Sequence, residues 1–366
     1  MPKNTPQKKL IIVSDDIRRD SHVATKYFKK IKIFHFYRKA RYSDMTKDDF
    51  ENTVKYQDHS DLYNKLLKYK PDIIQGPEPY ASKAAFLNSL TALKYCKKFK
   101  IPFLFPMFEN VTATKKFGFL LGKIMQIYLK KYVNASCCVV ALNKGAVKEL
   151  TKIGIKKEKI VRMIWGTWGI DQKEFFPDSK QRSKIPTCLF VGKIEEQKGI
   201  NTIINALKIV KTKVKNIQLI VVGFGSLVDK IKKQPNVKYI GLVKNKDIPK
   251  YFREAWVTVS PSIATKKWEE QVGMVNIQSI ACGTPVISTY SGAIPEYLPD
   301  KKAGLLVKED DHKDLADKIA HLLTNSRLRN KLSQDGLKYC KSRYLVEDNI
   351  KKAENLILEI LKGDKI

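Results

Sequence analysis

Residues 187–223, TCLFVGKIEEQKGINTIINALKIVKTKVKNIQLIVVG, read as a strand, a turn, a helix and a second strand. The flanking runs, TCLFVGK and IQLIVVG, are short, apolar and rich in β-branched residues, which suits buried strands. Between them, apolar residues at 203, 204, 207, 209 and 210 follow a helical period. A strand, an amphipathic helix and another strand in succession make the repeating unit of a parallel α/β sheet.

The same alternation runs outward in both directions. KLIIVSD, IKIFHFY, PDIIQGP, IPFLFPMF, CCVVALN and IVRMIWG precede this unit, and VKYIGLV, WVTVSPS, TPVISTY and AGLLVKE follow it. Two successive series predict two α/β domains with parallel sheets, residues 1–177 and 182–344. The seam is expected within FFPDSKQRSKIP (175–186), a polar stretch with a proline near each end. The amphipathic stretch VEDNIKKAENLILEILK has no strand after it, so residues 345–366 are expected to pack back on the first domain as a helix. Two such domains are expected to face a central cleft with the carboxyl ends of their strands, where open α/β sheets bind ligands.

Composition narrows the function. The chain has 366 residues, enough for two cores, with 43% hydrophobic and 10% aromatic residues. Its 69 Lys and Arg against 37 Asp and Glu give a net charge of +32, spread over both halves. Such a field draws phosphates, lipid headgroups or nucleic acid; the plain reading is solubility. Cys96, Cys137, Cys138, Cys188, Cys282 and Cys340 form no CxxC pair and lie mostly in apolar runs, as in a reduced, cytoplasmic protein. The five histidines lack metal-ligand spacing, and the apolar run near the start is too short for a signal peptide. No metal or cofactor is expected.

Three constellations carry candidate chemistry. In FVGKIEEQKGINTIINAL a strand ends at Gly192, and Lys193 and Lys198 flank a turn before a helix; together they could converge on a diphosphate. In IVVGFGSL, Gly223 and Gly225 follow a strand and either open a wall of the cleft or make an ordinary strand-to-helix turn. In KKWEEQVGMVNIQSIACGTPVIST (266–289), Gly273 precedes a helix whose first amides could hold an anion. Glu270 lies just before that helix and Gln278 eight positions on. A carboxylate beside a phosphate site suits hydroxyl groups, which sugars supply in pairs. The alternative is that Glu270 complements the helix dipole and Gln278 is solvated.

Taken together, these segments resemble the retaining glycosyltransferases of the GT-B fold, the large GT4 family of nucleotide-sugar-dependent enzymes. VGKIEEQKG resembles the family's phosphate motif, and EQVGMVNIQSIACGTPVIST its E-x-F-G-x-x-x-x-E-A-x-A-x-G-x-P-V-I signature. SGAIPEYLPDKKAGLLV resembles the segment after it, and WGIDQKEFFP (168–177) the crossing between domains. The order and spacing of all four agree over almost the whole chain. The resemblance implies that Lys193 and Lys198 bind and stabilise the leaving diphosphate in place of a metal. It places Glu270 near the transferred sugar, Gln278 at the ribose hydroxyls, Val272, Gly273 and Met274 at the sugar–phosphate, and Leu242 and Val243 against the base. It implies retention by a front-side route, with a nucleoside diphosphate sugar as co-substrate and a hydroxyl acceptor, on a glycan, a lipid or another carrier.

The chain also departs from that family. Gln278 stands where the family has Glu, so the ribose contact carries no charge and weakens by about 1 kcal/mol. VSDDIRRDSH (13–22) replaces a common glycine pair, placing Asp15, Asp16, Arg18 and Arg19 at the cleft edge for acceptor recognition. FPMFENVTA lacks the histidine of many relatives; Glu109 is the candidate there for the transferred sugar or the acceptor hydroxyl, unless it caps the next helix. Glu78, in QGPEPYAS, is a second acceptor-side candidate. TATKKFGFLLGKIMQIYLKKYV (112–133) reads either as a membrane-surface helix, with Lys115, Lys116, Lys123, Lys130 and Lys131 toward anionic lipid, or as a core helix with a solvated lysine face. Rival functions are a UDP-GlcNAc 2-epimerase-like enzyme of the same fold, a nucleic-acid binder motivated by charge alone, and a glycosyltransferase acting on a polyanionic acceptor such as nucleic acid.

Overall fold

The computed structural model describes residues 7–40 and 44–364. The opening hexapeptide and residues 365–366 of the closing segment lie outside the described residues. The chain forms two compact units. One runs to Gly169 and takes up the chain again from Val346; the other is Ile170–Leu345. The chain therefore passes between units at Gly169–Ile170, ahead of the polar 175–186 stretch, and again at Leu345–Val346. Phe175 explains the difference at the first crossing: it is buried, so the chain has already joined a core before the prolines are reached.

The first unit is built on a seven-stranded sheet. Its strands, with a small side pair, are β1 (Lys8–Val13), β2 (Asp16–Ile17), β3 (Ile31–Tyr37), β4 (Lys39–Ala40), β5 (Thr53–Lys55), β6 (Ile73–Gln75), β7 (Phe103–Met107), β8 (Cys138–Ala141) and β9 (Ile160–Arg162). The order is β5-β3-β1-β6-β7-β8-β9 and every pairing is parallel; β2 and β4 pair separately. Leu10 and Ile11, Ile73 and Ile74, and Val139 and Val140 are wholly buried on consecutive positions, as a sheet covered on both faces requires. β5 is the one strand of this sheet with no apolar run behind it: Thr-Val-Lys buries only Val54.

The second unit holds β10 (Thr187–Val191), β11 (Gln218–Val222), β12 (Val237–Gly241), β13 (Val257–Ser260), β14 (Val286–Thr289) and β15 (Leu305–Val307), in the order β12-β11-β10-β13-β14-β15, all parallel. The helix Ile200–Lys213 connects β10 to β11 and buries Ile203, Ile204, Leu207 and Val210, the stripe expected from its period. In both sheets the chain winds outward first to one side and then to the other. The reversal falls between β1 and β6 in the first and between β10 and β13 in the second. Loops leaving the carboxyl ends of those strands diverge and leave a crevice, the usual ligand position of such sheets.

The last helix, Val346–Lys362, belongs to the first unit. Val346 and Ile350 pack with Ala24, and the buried Glu354 turns its Oε1 to three successive backbone N–H groups, those of Lys29 (2.9 Å), Lys30 (2.6 Å) and Ile31 (3.2 Å). One carboxylate oxygen thus closes the turn that starts β3. We expect Glu354→Ala to lower unfolding stability by about 2 kcal/mol. Glu354→Gln, which keeps that one oxygen, should recover most of the loss in a denaturant titration.

Candidate functional site

In the second unit the candidate residues gather at the β10/β13 reversal. After β10 the chain makes a short 3₁₀ turn, Glu196–Lys198, and reverses at Gly199 into the next helix. Gly199 has φ +74°, and a Cβ there would lie 2.0 Å from the carbonyl oxygen of Pro261, in the loop after β13. Glycine is required on both counts, and its absent side chain lets the two diverging loops touch. Lys198 is thereby carried to Glu270: Nζ donates to Oε2 at 2.7 Å. The Ser262 hydroxyl donates to the same oxygen at 3.0 Å, and the ammonium lies 4.4 Å from the Trp268 ring centroid. Both ends of the pair are shielded, which strengthens it relative to a surface ion pair. Ser262 and Trp268 were not among the expected site residues. A hydroxyl after a strand and an indole two residues before a carboxylate carry no signal until the loops are folded.

Lys193 is not part of this pair. Its Nζ is 3.9 Å from Glu195 and half exposed to solvent. Gly273 has φ +76° and opens the helix Met274–Ala281 without a side-chain cap, and Val272 beside it is buried. Gln278 is buried one turn into that helix. On the same helix Asn276 donates from Nδ2 to Ser288 Oγ (3.3 Å), while its buried Oδ1 has no hydrogen-bond partner. Leu242, after β12, is exposed, and Val243 is half-buried. Gly223 and Gly225 serve packing. A Cβ on Gly223 would meet the Gly192 carbonyl at 1.8 Å, and one on Gly225 the Ile194 carbonyl at 2.4 Å. The GxG therefore lets β11 continue against the loop after β10, with Ile194 N–H donating to Phe224 O at 2.8 Å. A side chain at either position would displace backbone of the loop after β10.

In the first unit a second group forms after β6 and β7. Glu78 is buried and accepts from the backbone N–H of Phe108 (3.0 Å) and of Glu109 (2.9 Å), one per oxygen. Rather than facing an acceptor, it holds the Phe108–Glu109 turn. Glu109 is buried too; it accepts from Val111 N–H at 3.0 Å and is ion-paired with Lys116. It does not cap the helix Ala113–Phe117, because the Ala113 N–H goes to a third buried carboxylate, Glu149 (3.1 Å), which also accepts from Gln126 (2.9 Å). The phenol of Tyr80 is buried nearby in the field of these three carboxylates, which, after burial itself, raise its pKa. Burial, and next the Glu109 charge, push Glu78 up to about 7 against the two backbone N–H groups and Lys116. Lys116, expected toward lipid or solvent, turns instead to Glu109, and Glu149 was not among the expected residues.

The acceptor-side candidates after β1 divide. Asp15 accepts from Arg38 Nε at 2.7 Å, Arg18 pairs with Asp20 (3.1 Å) and lies over the Trp168 ring, and Asp16 belongs to the β2–β4 pair. Arg19 instead turns to Asp49 (3.4 Å) and lines a hollow of about 680 Å³ with His22 and Asn52. His22 and His35 meet Nδ1 to Nδ1 at 3.1 Å, and His35 Nε2 lies 2.7 Å from Ser14 Oγ. Burial lowers both imidazoles, His35 to about 3, so the pair is neutral near pH 7.

Residues 171–339, nearly the whole second unit, match the family model described as Glycosyl transferases group 1. An uncharacterized protein of the cps region of Klebsiella pneumoniae is 30% identical over 71% of this chain and 70% of its own length. The capsular polysaccharide biosynthesis glycosyltransferase CapM of Staphylococcus aureus is 26% identical over 84% of this chain and 83% of its own. Among solved structures, Anabaena HepE in complex with UDP and glucose superposes with a TM-score of 0.75 at 13% identity, covering 96% of this chain and 99% of that one. Neighbours of this kind are GT-B glycosyltransferases, and the two Rossmann-like units here share that fold.

The raised pKa of Glu78 has a signed consequence. Neutral Glu78 contributes its full stabilisation below the ordinary carboxyl range, and that contribution is lost as pH rises through about 7. Chemical denaturation of Glu78→Gln at pH 5 and pH 8 should show the wild-type difference reduced by roughly 2–3 kcal/mol. An unchanged difference would mean that Glu78 does not titrate in this window.

Proposed function

The chain belongs to the group 1 glycosyltransferases, and from that premise we propose that it transfers a hexosyl group from a nucleoside diphosphate sugar to a hydroxyl acceptor with retention of configuration. The observation that carries this reading is the shielded Lys198–Glu270 pair at the β10/β13 reversal. A cation already held at a strand-end crevice by a carboxylate can pass to an anionic ligand with little further desolvation of its own. In this reading Lys198, joined by the more exposed Lys193, meets the diphosphate and offsets the charge that develops as the glycosidic bond breaks. A fixed countercharge at such a leaving group supplies about 3–4 kcal/mol of transition-state stabilisation. No metal is needed for that task in this scheme. Glu270, released from Lys198 and still hydrogen-bonded by Ser262, is left to accept from sugar hydroxyls.

The remaining donor contacts follow from position. The start of the helix Met274–Ala281 presents backbone N–H groups to a phosphate oxygen, with Val272, Gly273 and Met274 beside the sugar–phosphate. Gln278 takes the ribose hydroxyls, and Leu242 and Val243 take the base. HepE, a fold neighbour, holds UDP and glucose, which supports a nucleotide-linked hexose as donor. CapM acts in capsular polysaccharide biosynthesis, which supports a glycan acceptor, on a lipid or another carrier. On the first unit, Glu109 with its Lys116 partner is assigned to the transferred sugar or the acceptor hydroxyl, and Glu78 positions it. Retention by a front-side route has the donor phosphate assist deprotonation of the acceptor, so no carboxylate nucleophile is assigned. The epimerase alternative would call on histidine, and His22 and His35 are committed to each other.

Two measurements test the assignment. Lys198→Ala should reduce transfer at least about 100-fold with an unchanged melting temperature; retained turnover would remove Lys198 from the leaving-group role. Gln278→Glu should tighten a nucleoside diphosphate by roughly tenfold in calorimetry with UDP, GDP and ADP. Affinities unchanged from wild type for all three would take the residue off the ribose.

A further inference from the structure

The segment 112–133 does not form one continuous helix with a solvated lysine face. It breaks at Gly118, φ +85°, into Ala113–Phe117 and Phe119–Ala135. The longer helix buries Met125, Leu129, Tyr132 and Val133 in the first unit's core. Its opposite face carries Phe119 (76% exposed), Leu120 (76%), Leu121 (51%), Ile124 (54%) and Ile127 (72%). These are five of the thirteen large apolar side chains exposed among the described residues, and the other eight are scattered along the chain. Scattered apolar exposure is ordinary; five within nine residues on one helix mark a surface that meets something.

The charges around this face select the occupant. Residues 113–135 contain five lysines and no acidic residue. Lys116 is engaged by Glu109, whereas Lys115, Lys123, Lys130 and Lys131 are exposed, the last three on the same side of the helix as the apolar group. Lys123 also lies over the Phe119 ring at 5.9 Å. Against a second copy of this chain, a twofold contact would set these lysines against their own counterparts. Against an anionic bilayer, the apolar side chains enter the acyl boundary while the lysines reach phosphate headgroups. We propose that the face formed by Phe119, Leu120, Ile124 and Ile127, ringed by Lys123, Lys130 and Lys131, docks this protein on an anionic lipid surface. The helix lies in the plane of the interface and does not cross it; among the described residues no helix is long and apolar enough to span a membrane. This contact is independent of the donor chemistry proposed above.

The test is co-sedimentation of the full chain, without nucleotide sugar, with phosphatidylcholine vesicles containing or lacking about one third phosphatidylglycerol. Wild type should sediment with the anionic vesicles and stay in solution with the neutral ones. Leu120→Asp with Ile127→Asp, and separately Lys123→Glu with Lys130→Glu and Lys131→Glu, should each reduce the bound fraction at least about tenfold. All of these side chains are exposed, so melting temperatures should stay at the wild-type value and UDP binding should be unaffected. Absence of wild-type binding to anionic vesicles would overturn the proposal, as would equal binding by the aspartate variant. So would a wild-type dimer in sedimentation velocity that the aspartate variant converts to monomer.

Discussion

The second unit depends on a contact that only glycine permits. The loops leaving β10 and β13 diverge because the sheet reverses its winding between those strands, and divergence alone would leave Lys198 and Glu270 apart. Gly199, pressed on the Pro261 carbonyl, brings the loops back together one residue beyond Lys198. The ion pair, the Ser262 hydrogen bond and the Trp268 contact are all consequences of that approach. A side chain at position 199 would have to displace backbone, so the site's geometry and the fold's topology are the same constraint. The GxG at 223–225 extends it, seating β11 against the loop that carries Lys193.

A chain with a net charge of +32 nevertheless buries carboxylates at several points, and each has a structural assignment. Glu354 gathers three backbone N–H groups at the turn into β3, Glu78 holds the turn at Phe108–Glu109, and Glu149 receives Ala113 and Gln126. Buried carboxylates are tolerated where several donors converge on them. Glu78 is the exception in degree: two donors do not offset both full burial and the neighbouring Glu109, and its pKa rises to about 7 as a result. Lysine abundance at the surface does not reach these sites, apart from Lys116 on Glu109.

The strands and their parallel arrangement were legible because buried parallel strands are continuous apolar runs, and twelve such runs coincide with twelve of the strands. β5 was not, since an edge strand with one buried valine has no run to read. The residues Lys198 and Glu270 were legible as types at motif positions; their pairing, 72 residues apart in sequence, was not. Spacing placed Glu78 among acceptor contacts, and only the fold showed both of its oxygens taken by backbone. Arg19 was grouped with Arg18 by adjacency, but consecutive residues in the short helix Arg19–His22 and its cap point apart, and Arg19 reaches Asp49 instead. The apolar face of the Phe119–Ala135 helix was hidden by its lysines, because a one-letter string does not say which side of a helix the core has taken.

On the proposal above, Lys198 is a phosphate ligand kept ready by Glu270. Crystals soaked with UDP, GDP or ADP test it directly. The diphosphate is expected within hydrogen-bond reach of Lys198 Nζ at the β10/β13 crevice, with the lysine drawn from Glu270. A nucleotide bound elsewhere, or a diphosphate in that crevice with the Lys198–Glu270 pair untouched and out of reach, would contradict it.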